Sequence, residues 1–211
     1  MSKAILLPDE CYETVRQLKC FGVLAEVEPQ KIRQHGDIVV DIGCGDCHQR
    51  PEWKQYLATM FKYLHSLTLN GGGVAIPVFS KANPGDIKGR AFLMDIPGSF
   101  LLKGTHVVLV TGHAPCGLVR HLNISLLEKV GYLVAAKHRI KQEIRPEHPE
   151  TKVISLFHVN YGHKPERKPQ GMKTYIIDDR KWTQWCTEKG DPLVSYKPEC
   201  SNGHVQDVAL A

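Results

Sequence analysis

Apolar runs bounded by glycine or polar residues recur along the chain. Val, Ile and other apolar residues are concentrated at 37–42, 74–79, 107–110 and 152–159. Runs of this length and composition predict buried β-strands. A weaker run at 173–177 predicts a fifth strand at the edge of the same sheet.

Helical spacing of apolar residues fills most of the intervals between these runs. The spacing predicts helices over 8–34, over 51–69 and over 118–130. Residues 87–103 are mostly apolar, but Pro97 predicts an interruption there, because proline lacks the amide hydrogen that a helix interior needs. The alternation of strands with helices predicts an α/β protein. We expect a mainly parallel sheet of four core strands plus an edge strand, flanked by helices.

Length and composition indicate one globular domain. The chain has 211 residues, for which we expect an N-terminal helical arm over 1–36, an α/β domain over 37–180 and a C-terminal extension over 181–211. The formal net charge of +5 is spread along the chain, so we expect no nucleic-acid partner. No signal peptide or membrane-spanning run is visible, and we expect a cytoplasmic protein with no membrane partner. In that compartment the seven cysteines stay free or bind metal.

Soft metal ligands follow two of the predicted strands. Cys44 comes directly after the run at 37–42, and His113 and Cys116 come after the run at 107–110. The carboxyl ends of neighbouring parallel strands face one crevice, so these three side chains can meet there. Two thiolates and one imidazole suit Zn²⁺ and leave a fourth position open, which is the pattern of a catalytic zinc site.

The first of these segments also fits two other functions when it is taken alone. Residues 40–45, Val-Asp-Ile-Gly-Cys-Gly, resemble the glycine-rich loop of methyltransferases that use S-adenosylmethionine, although Cys47 stands where that loop has its last glycine. Cys44 and Cys47 also form the C-x-x-C pattern of thiol redox proteins. Neither alternative accounts for the segment that holds His113 and Cys116.

The two segments together resemble the β-class carbonic anhydrases. In that family one strand ends in Cys-x-Asp-x-Arg, and a later strand ends in Gly-His-x-x-Cys-Gly. Here the matching residues are Cys44 and Asp46 in the first motif and His113 and Cys116 in the second, and the resemblance covers roughly 37–162. It implies the β-carbonic-anhydrase fold, a zinc ion held by the cysteines and the histidine, and a homodimer or higher even oligomer. It also implies that Asp46 either accepts a hydrogen bond from the attacking water or occupies the fourth zinc position.

One position departs from the family pattern. The arginine that pairs with the aspartate is replaced by His48, and Arg50 comes two residues later. An imidazole cannot copy a bidentate guanidinium, so we treat Asp46, His48 and Arg50 together as the candidate catalytic residues. His48 carries protons or replaces the arginine in this hypothesis, and Arg50 reaches back toward Asp46.

The sequence therefore favours a zinc lyase that hydrates CO₂ to bicarbonate, or that hydrolyses a similar linear molecule such as carbonyl sulfide or carbon disulfide. A zinc-binding relative without catalytic activity is the first alternative, because the family arginine is missing. A C-x-x-C redox protein is an alternative of another class, and a methyltransferase is the third.

Overall fold

The computed structural model describes residues 7–45, 49–164 and 168–193, which form a six-stranded sheet with helices on both faces. The strands are β1 (Leu24–Glu26), β2 (Ile38–Cys44), β3 (Tyr63–Leu69), β4 (Val107–Ala114), β5 (Lys152–Asn160) and β6 (Met172–Ile177). The helices are α1 (Asp9–Phe21), α2 (Pro29–Arg33), α3 (Arg50–Ala58), α4 (Ile87–Lys103), α5 (Gly117–His121), α6 (Leu126–Ile144) and α7 (Asp179–Lys189). Short 3₁₀ helices lie at Gly72–Ala75 and Pro84–Asp86. Within these described ranges no helix has the length and apolar content to cross a membrane.

The strand order is β1-β6-β5-β4-β2-β3, and the four strands β3, β2, β4 and β5 run parallel to one another. This confirms the predicted α/β class and its parallel core of four strands. β6 pairs antiparallel with β5, and β1 pairs antiparallel with β6. The fifth predicted strand is therefore inside the sheet, because β1 forms the edge. β1 lies in the segment predicted as helical, and its three residues are too few to produce a strand pattern.

The prediction of a strand over 74–79 is wrong, and so is the prediction of a single helix over 51–69. α3 ends at Ala58, and the chain returns as β3 over Tyr63–Leu69. β3 is an edge strand with partly exposed side chains, so it carries no continuous apolar run. The run at 74–79 is apolar for a different reason: Val74, Ala75 and Ile76 are fully buried in a 3₁₀ turn and loop that pack on β2 and β4.

Two helix predictions are also corrected. α4 is continuous through Pro97. The helix predicted over 118–130 is two helices, because α5 ends at His121 and a capping box at Ser125 and Glu128 starts α6. α6 continues past Gly131, where a Cβ atom would lie 3.0 Å from the Trp182 ring. That glycine therefore serves close packing against α7 and does not end the helix.

Both faces of the sheet are buried. α1, α4 and α6 supply one apolar cluster, to which β2 contributes Val40 and Ile42. α2 and α3 supply the opposite cluster, which includes Val39 from β2 and Trp53 from α3. Strands covered on both faces are expected for parallel sheets, and this burial explains the largely apolar runs of β2, β4 and β5.

A buried ion pair fixes α3 against β2. Asp41 is fully buried, and its Oδ2 lies 3.0 Å from Nη2 of Arg50, the first residue of α3. The indole Nε1–H of Trp53 donates to Asp41 Oδ1 over 3.3 Å. Burial raises the pKa of the Asp41 carboxyl, and the Arg50 charge counters part of that rise. A Cβ at Gly43 would overlap Nη1 of Arg50, so a side chain there would displace the guanidinium.

We predict that Arg50→Met destabilises the protein by about 3–5 kcal/mol near neutral pH, because it leaves a buried carboxylate without its counter-charge. A carboxyl whose folded-state pKa is raised contributes less stability as pH rises from the unfolded pKa toward the folded pKa. Without Arg50 the pKa of Asp41 rises further, so the loss should be larger at about pH 8 than at about pH 5. Urea unfolding of the wild type and the variant at both pH values measures this loss of stability.

The double variant Asp41→Asn with Arg50→Met is the matched control. It removes both charges, so its stability should exceed that of Arg50→Met alone at about pH 8. An equal loss in the single variant at both pH values would show that the Asp41 charge does not cause the effect.

Candidate metal centre

The carboxyl ends of β2 and β4 bring the three predicted metal ligands together. Cys44 is the last residue of β2, His113 is the penultimate residue of β4, and Cys116 is the N-cap of α5. One ligand atom from each lies within 4.8 Å of the other two, and all three side chains are buried. A convergent set of two sulfurs and one nitrogen fits Zn²⁺, which takes four ligands in a tetrahedron.

The carbonyl of Pro115 fixes the orientation of the histidine. His113 Nδ1–H donates to Pro115 O over 2.9 Å, so Nε2 is the ring nitrogen left to bind a metal ion. Gln49 Nε2–H also donates to Pro115 O, over 2.6 Å. Gln49 lies just before α3, so this contact ties the loop that carries Cys116 to the opposite wall of the site.

A glycine loop after β3 covers Cys44. The amide N–H of Gly71 donates to Cys44 Sγ over 3.4 Å. Gly72 has φ of +53°, and a Cβ on it would lie 2.5 Å from the backbone nitrogen of Cys44. A residue other than glycine is excluded at position 72 for two reasons: the positive φ is unfavourable for it, and its Cβ would overlap the backbone of Cys44. The close approach of this loop is what buries the thiol.

Hydrogen bonds and a buried cation favour a thiolate at Cys116. The hydrogen bond with Cys44 and the contact with His113 hold the pKa of the Cys116 thiol well below its usual range, against the opposing effect of burial. The positive charge of Lys129 acts in the same direction. Thiolates are the form in which cysteine binds a metal, so the electrostatics suit a metal centre.

Lys129 is a residue of the site that sequence reasoning missed. It lies on α6 and is buried, its Nζ donates to the carbonyl of His113, and it lies 5.5 Å from the centre of the Phe157 ring. The sequence contains a signal for this residue, because Lys129 lies on the apolar face of the helix between residues such as Leu126 and Leu133. A charged residue at a core position of an amphipathic helix indicates a buried partner. Gln49 was also missed, and nothing in the sequence pattern marks it.

A small cavity adjoins the candidate ligands. Its volume is about 20 Å³, which is room for about one water molecule. It is lined by Cys44, Gln49, Arg50, Trp53, Thr111, Gly112, His113 and His158. Arg50 Nη1 and Gln49 Oε1 are buried and have no hydrogen-bond partner among the described residues. Unpaired polar atoms in the wall suit a small polar guest.

His158 is a neutral part of the wall. It is the register partner of His113 in β5, and its Nδ1 lies 2.8 Å from Thr174 Oγ1. Burial, followed by electrostatic repulsion from the neighbouring His113, lowers the pKa of His158 to about 4. Its imidazole is therefore uncharged near pH 7.

The predicted catalytic residues are only partly described. Arg50 lines the cavity, but its charge is paired with Asp41. Asp46 and His48, as well as Cys47 of the C-x-x-C pattern, lie outside the described residues. The expected contact of Asp46 with the metal or with Arg50 therefore stays a prediction.

Comparisons with known proteins find similarity among solved structures. No family model matches the chain, and no curated protein matches it. It is similar to the wild-type β-carbonic anhydrase CafD of the filamentous fungus Aspergillus fumigatus, with 13% identity over 74% of this chain and 99% of that chain and a TM-score of 0.40. A cysteine-to-alanine mutant of the same protein gives 12% identity, the same coverage and a TM-score of 0.43. These solved structures are β-carbonic anhydrases, the family that the two sequence motifs resemble.

Proposed function

We propose that this chain is a zinc-dependent hydro-lyase of the carbonic anhydrase type. The observation that carries the proposal is the convergence of Cys44, His113 and Cys116 beside a cavity of about 20 Å³. Three protein donors leave one position for a water or a substrate, as in catalytic zinc sites. Bound zinc supplies the Lewis acidity that makes a water nucleophilic near neutral pH.

The size and polarity of the cavity support a small linear substrate. Room for about one water excludes bulky substrates, so our proposal is restricted to small linear molecules such as CO₂, carbonyl sulfide or carbon disulfide. Arg50 Nη1 and Gln49 line the same cavity and supply a cationic donor and an amide. In our proposal Arg50 receives the negative charge of a product such as bicarbonate. Asp46 accepts a hydrogen bond from the attacking water, and His48 transfers the proton.

A zinc-binding protein without lyase activity is the second candidate. It is favoured by the ion pair between Arg50 and Asp41, which holds the arginine in the core beside the site. Arg50 also lies two residues after the position that the arginine has in the family motif. The thiol redox alternative needs Cys47, which lies outside the described residues. Neither it nor the methyltransferase alternative gains support from the described part of the chain, and the cytoplasmic location stays a prediction.

The first test is metal content. We expect about one zinc per chain in protein purified without chelators, because two thiolates and an imidazole make a tight site. Cys116→Ser should lose the metal. Cys186→Ser is the control, because this half-buried thiol of α7 is not part of the cluster and its removal should leave zinc unchanged. Elemental analysis of folded protein that finds almost no zinc in the wild type would refute the zinc proposal.

The second test separates the two candidate functions. We expect the zinc-loaded wild type to accelerate CO₂ hydration in a stopped-flow assay, with a rate that rises with pH as the attacking water ionises. Cys116→Ser should reach only the uncatalysed rate. Full zinc content with the uncatalysed rate, for CO₂ and for carbonyl sulfide alike, would support the non-catalytic zinc protein instead.

We further propose that the chain forms a homodimer or higher even oligomer through α4 and β3. Ile87, Met94 and Leu101 recur every seven residues along one side of α4 and are 73%, 79% and 87% exposed. α4 packs against β3, which pairs with β2 on one side and forms one edge of the described sheet, and Tyr63 of β3 is also exposed. An exposed apolar stripe beside a free strand edge is typical of a protein interface.

Substitution of this surface tests the oligomer. Met94→Asp with Leu101→Asp should convert the assembly to monomers, because the charges would be buried in the interface. Gln55→Asp, an exposed position of α3, is the control and should leave the assembly intact. Sedimentation of the wild type as a monomer at micromolar concentration would contradict the proposal.

A further inference from the structure

A second group of metal-ligand side chains lies at the amino end of the parallel strands. His106 directly precedes β4, and His148 and Glu150 lie in the turn between α6 and β5. One ligand atom from each lies within 4.8 Å of the other two. We propose that these three residues form a second metal site, for a divalent transition-metal ion such as Ni²⁺.

The site is separate from the cysteine cluster. His106 and His113 lie before the start and near the end of β4, seven residues apart, which places them about 23 Å from each other along the strand. The two sites also differ in chemistry. The first offers two sulfurs, whereas the second offers two imidazoles and one carboxylate, a set that suits ions of intermediate softness and not Mg²⁺ or Ca²⁺.

The backbone that carries the ligands is held in place. The amide of Lys152 donates to the carbonyl of His106 over 2.8 Å, so the starts of β4 and β5 are joined at the site. Arg145 Nε and Nη2 each donate to Thr151 O over 3.1 Å, which closes the turn that carries His148 and Glu150. Rigid positions reduce the entropy lost when three side chains bind one ion.

A buried ring supports the two imidazoles. Phe100 of α4 is buried, and its ring centre lies 5.0 Å from that of His106 and 5.3 Å from that of His148. The two imidazole centres are 5.9 Å apart. Packing on one ring limits the rotation of both histidines and keeps them on the same side as Glu150.

The distance between His106 and Glu150 is consistent with a metal ion bound between them. His106 Nδ1 lies 2.7 Å from Glu150 Oε1, and this buried nitrogen makes no hydrogen bond with the described residues. An ion bound at about 2.0–2.2 Å from each ligand would fit between the two atoms once they separate by a fraction of an ångström. Glu150 is half exposed, so an ion reaches the cluster from solvent without opening the core.

Nickel titration of the zinc-loaded full chain tests the proposal. We expect calorimetry to show one Ni²⁺ per chain in the wild type, and nickel to raise the melting temperature, because an ion that binds only the folded state stabilises it. His148→Ala should abolish both effects. Glu150→Gln keeps the shape of the side chain and an oxygen that can accept a hydrogen bond from His106, but it removes the negative charge. It should therefore weaken nickel binding by about tenfold or more.

Two controls make the result specific. His138→Ala removes an exposed histidine of α6 outside the cluster and should bind nickel as the wild type does. Cys116→Ser should also keep the nickel site, which separates this inference from the zinc proposal. Loss of nickel binding in either control, or unchanged binding in His148→Ala and Glu150→Gln, would overturn the second site, as would the absence of binding in the wild type.

Discussion

The parallel pairing of β2 with β4 is the constraint on which the candidate metal centre depends. Val40 pairs with Val108 and Ile42 with Val110, so both strands end at the same level of the sheet. Thr111 Oγ1 donates to Ile42 O over 2.9 Å and fixes this register just below the site. A slip of one residue would turn Cys44 to the opposite face and separate it from His113. The apolar runs that bury both strands therefore also determine whether the ligands meet.

Buried charge is the second determinant of the site. Two thiolates in this buried cluster would be costly without compensation, and Lys129 supplies one buried positive charge beside it. The divalent ion that we propose would balance the remaining charge and bind the sulfurs directly. The same reasoning explains why Lys129 tolerates burial: its ammonium donates to the carbonyl of His113 and lies over the Phe157 ring. The cation and the ligand set are thus consistent with each other.

The features predicted correctly from the sequence are those with local signals. β2, β4 and β5 were predicted because burial on both faces leaves a largely apolar run in each strand. The convergence of Cys44, His113 and Cys116 was predicted because each lies a few residues after such a run. β3 was missed because an edge strand with partly exposed side chains carries no run, and the loop over 74–79 was mistaken for a strand because it is equally buried.

Contacts between distant segments explain the remaining errors. The sequence predicted that a helix ends at Gly131. The glycine is instead required for close packing against Trp182, which lies about fifty residues later in the chain. The contacts of Gln49 with Pro115 and of Lys129 with His113 join separate elements, so no single segment predicts them. Asp41 was counted only as part of a glycine-rich loop, and its role as the partner of Arg50 depends on how α3 packs on β2.

The ion pair with Asp41 gives Arg50 a defined orientation. Asp41 Oδ2 lies 3.0 Å from Nη2, and the guanidinium is planar, so Nη1 is fixed once Nη2 is engaged. Nη1 lies against Gly43, where a Cβ would overlap it, and Arg50 lines the cavity beside Cys44 and His113. One end of the arginine is thus anchored in the core, whereas the other end is available to a small anion. An arginine held in this way loses little entropy on binding, so its displacement from the family position is compatible with a role in recognising a charged product.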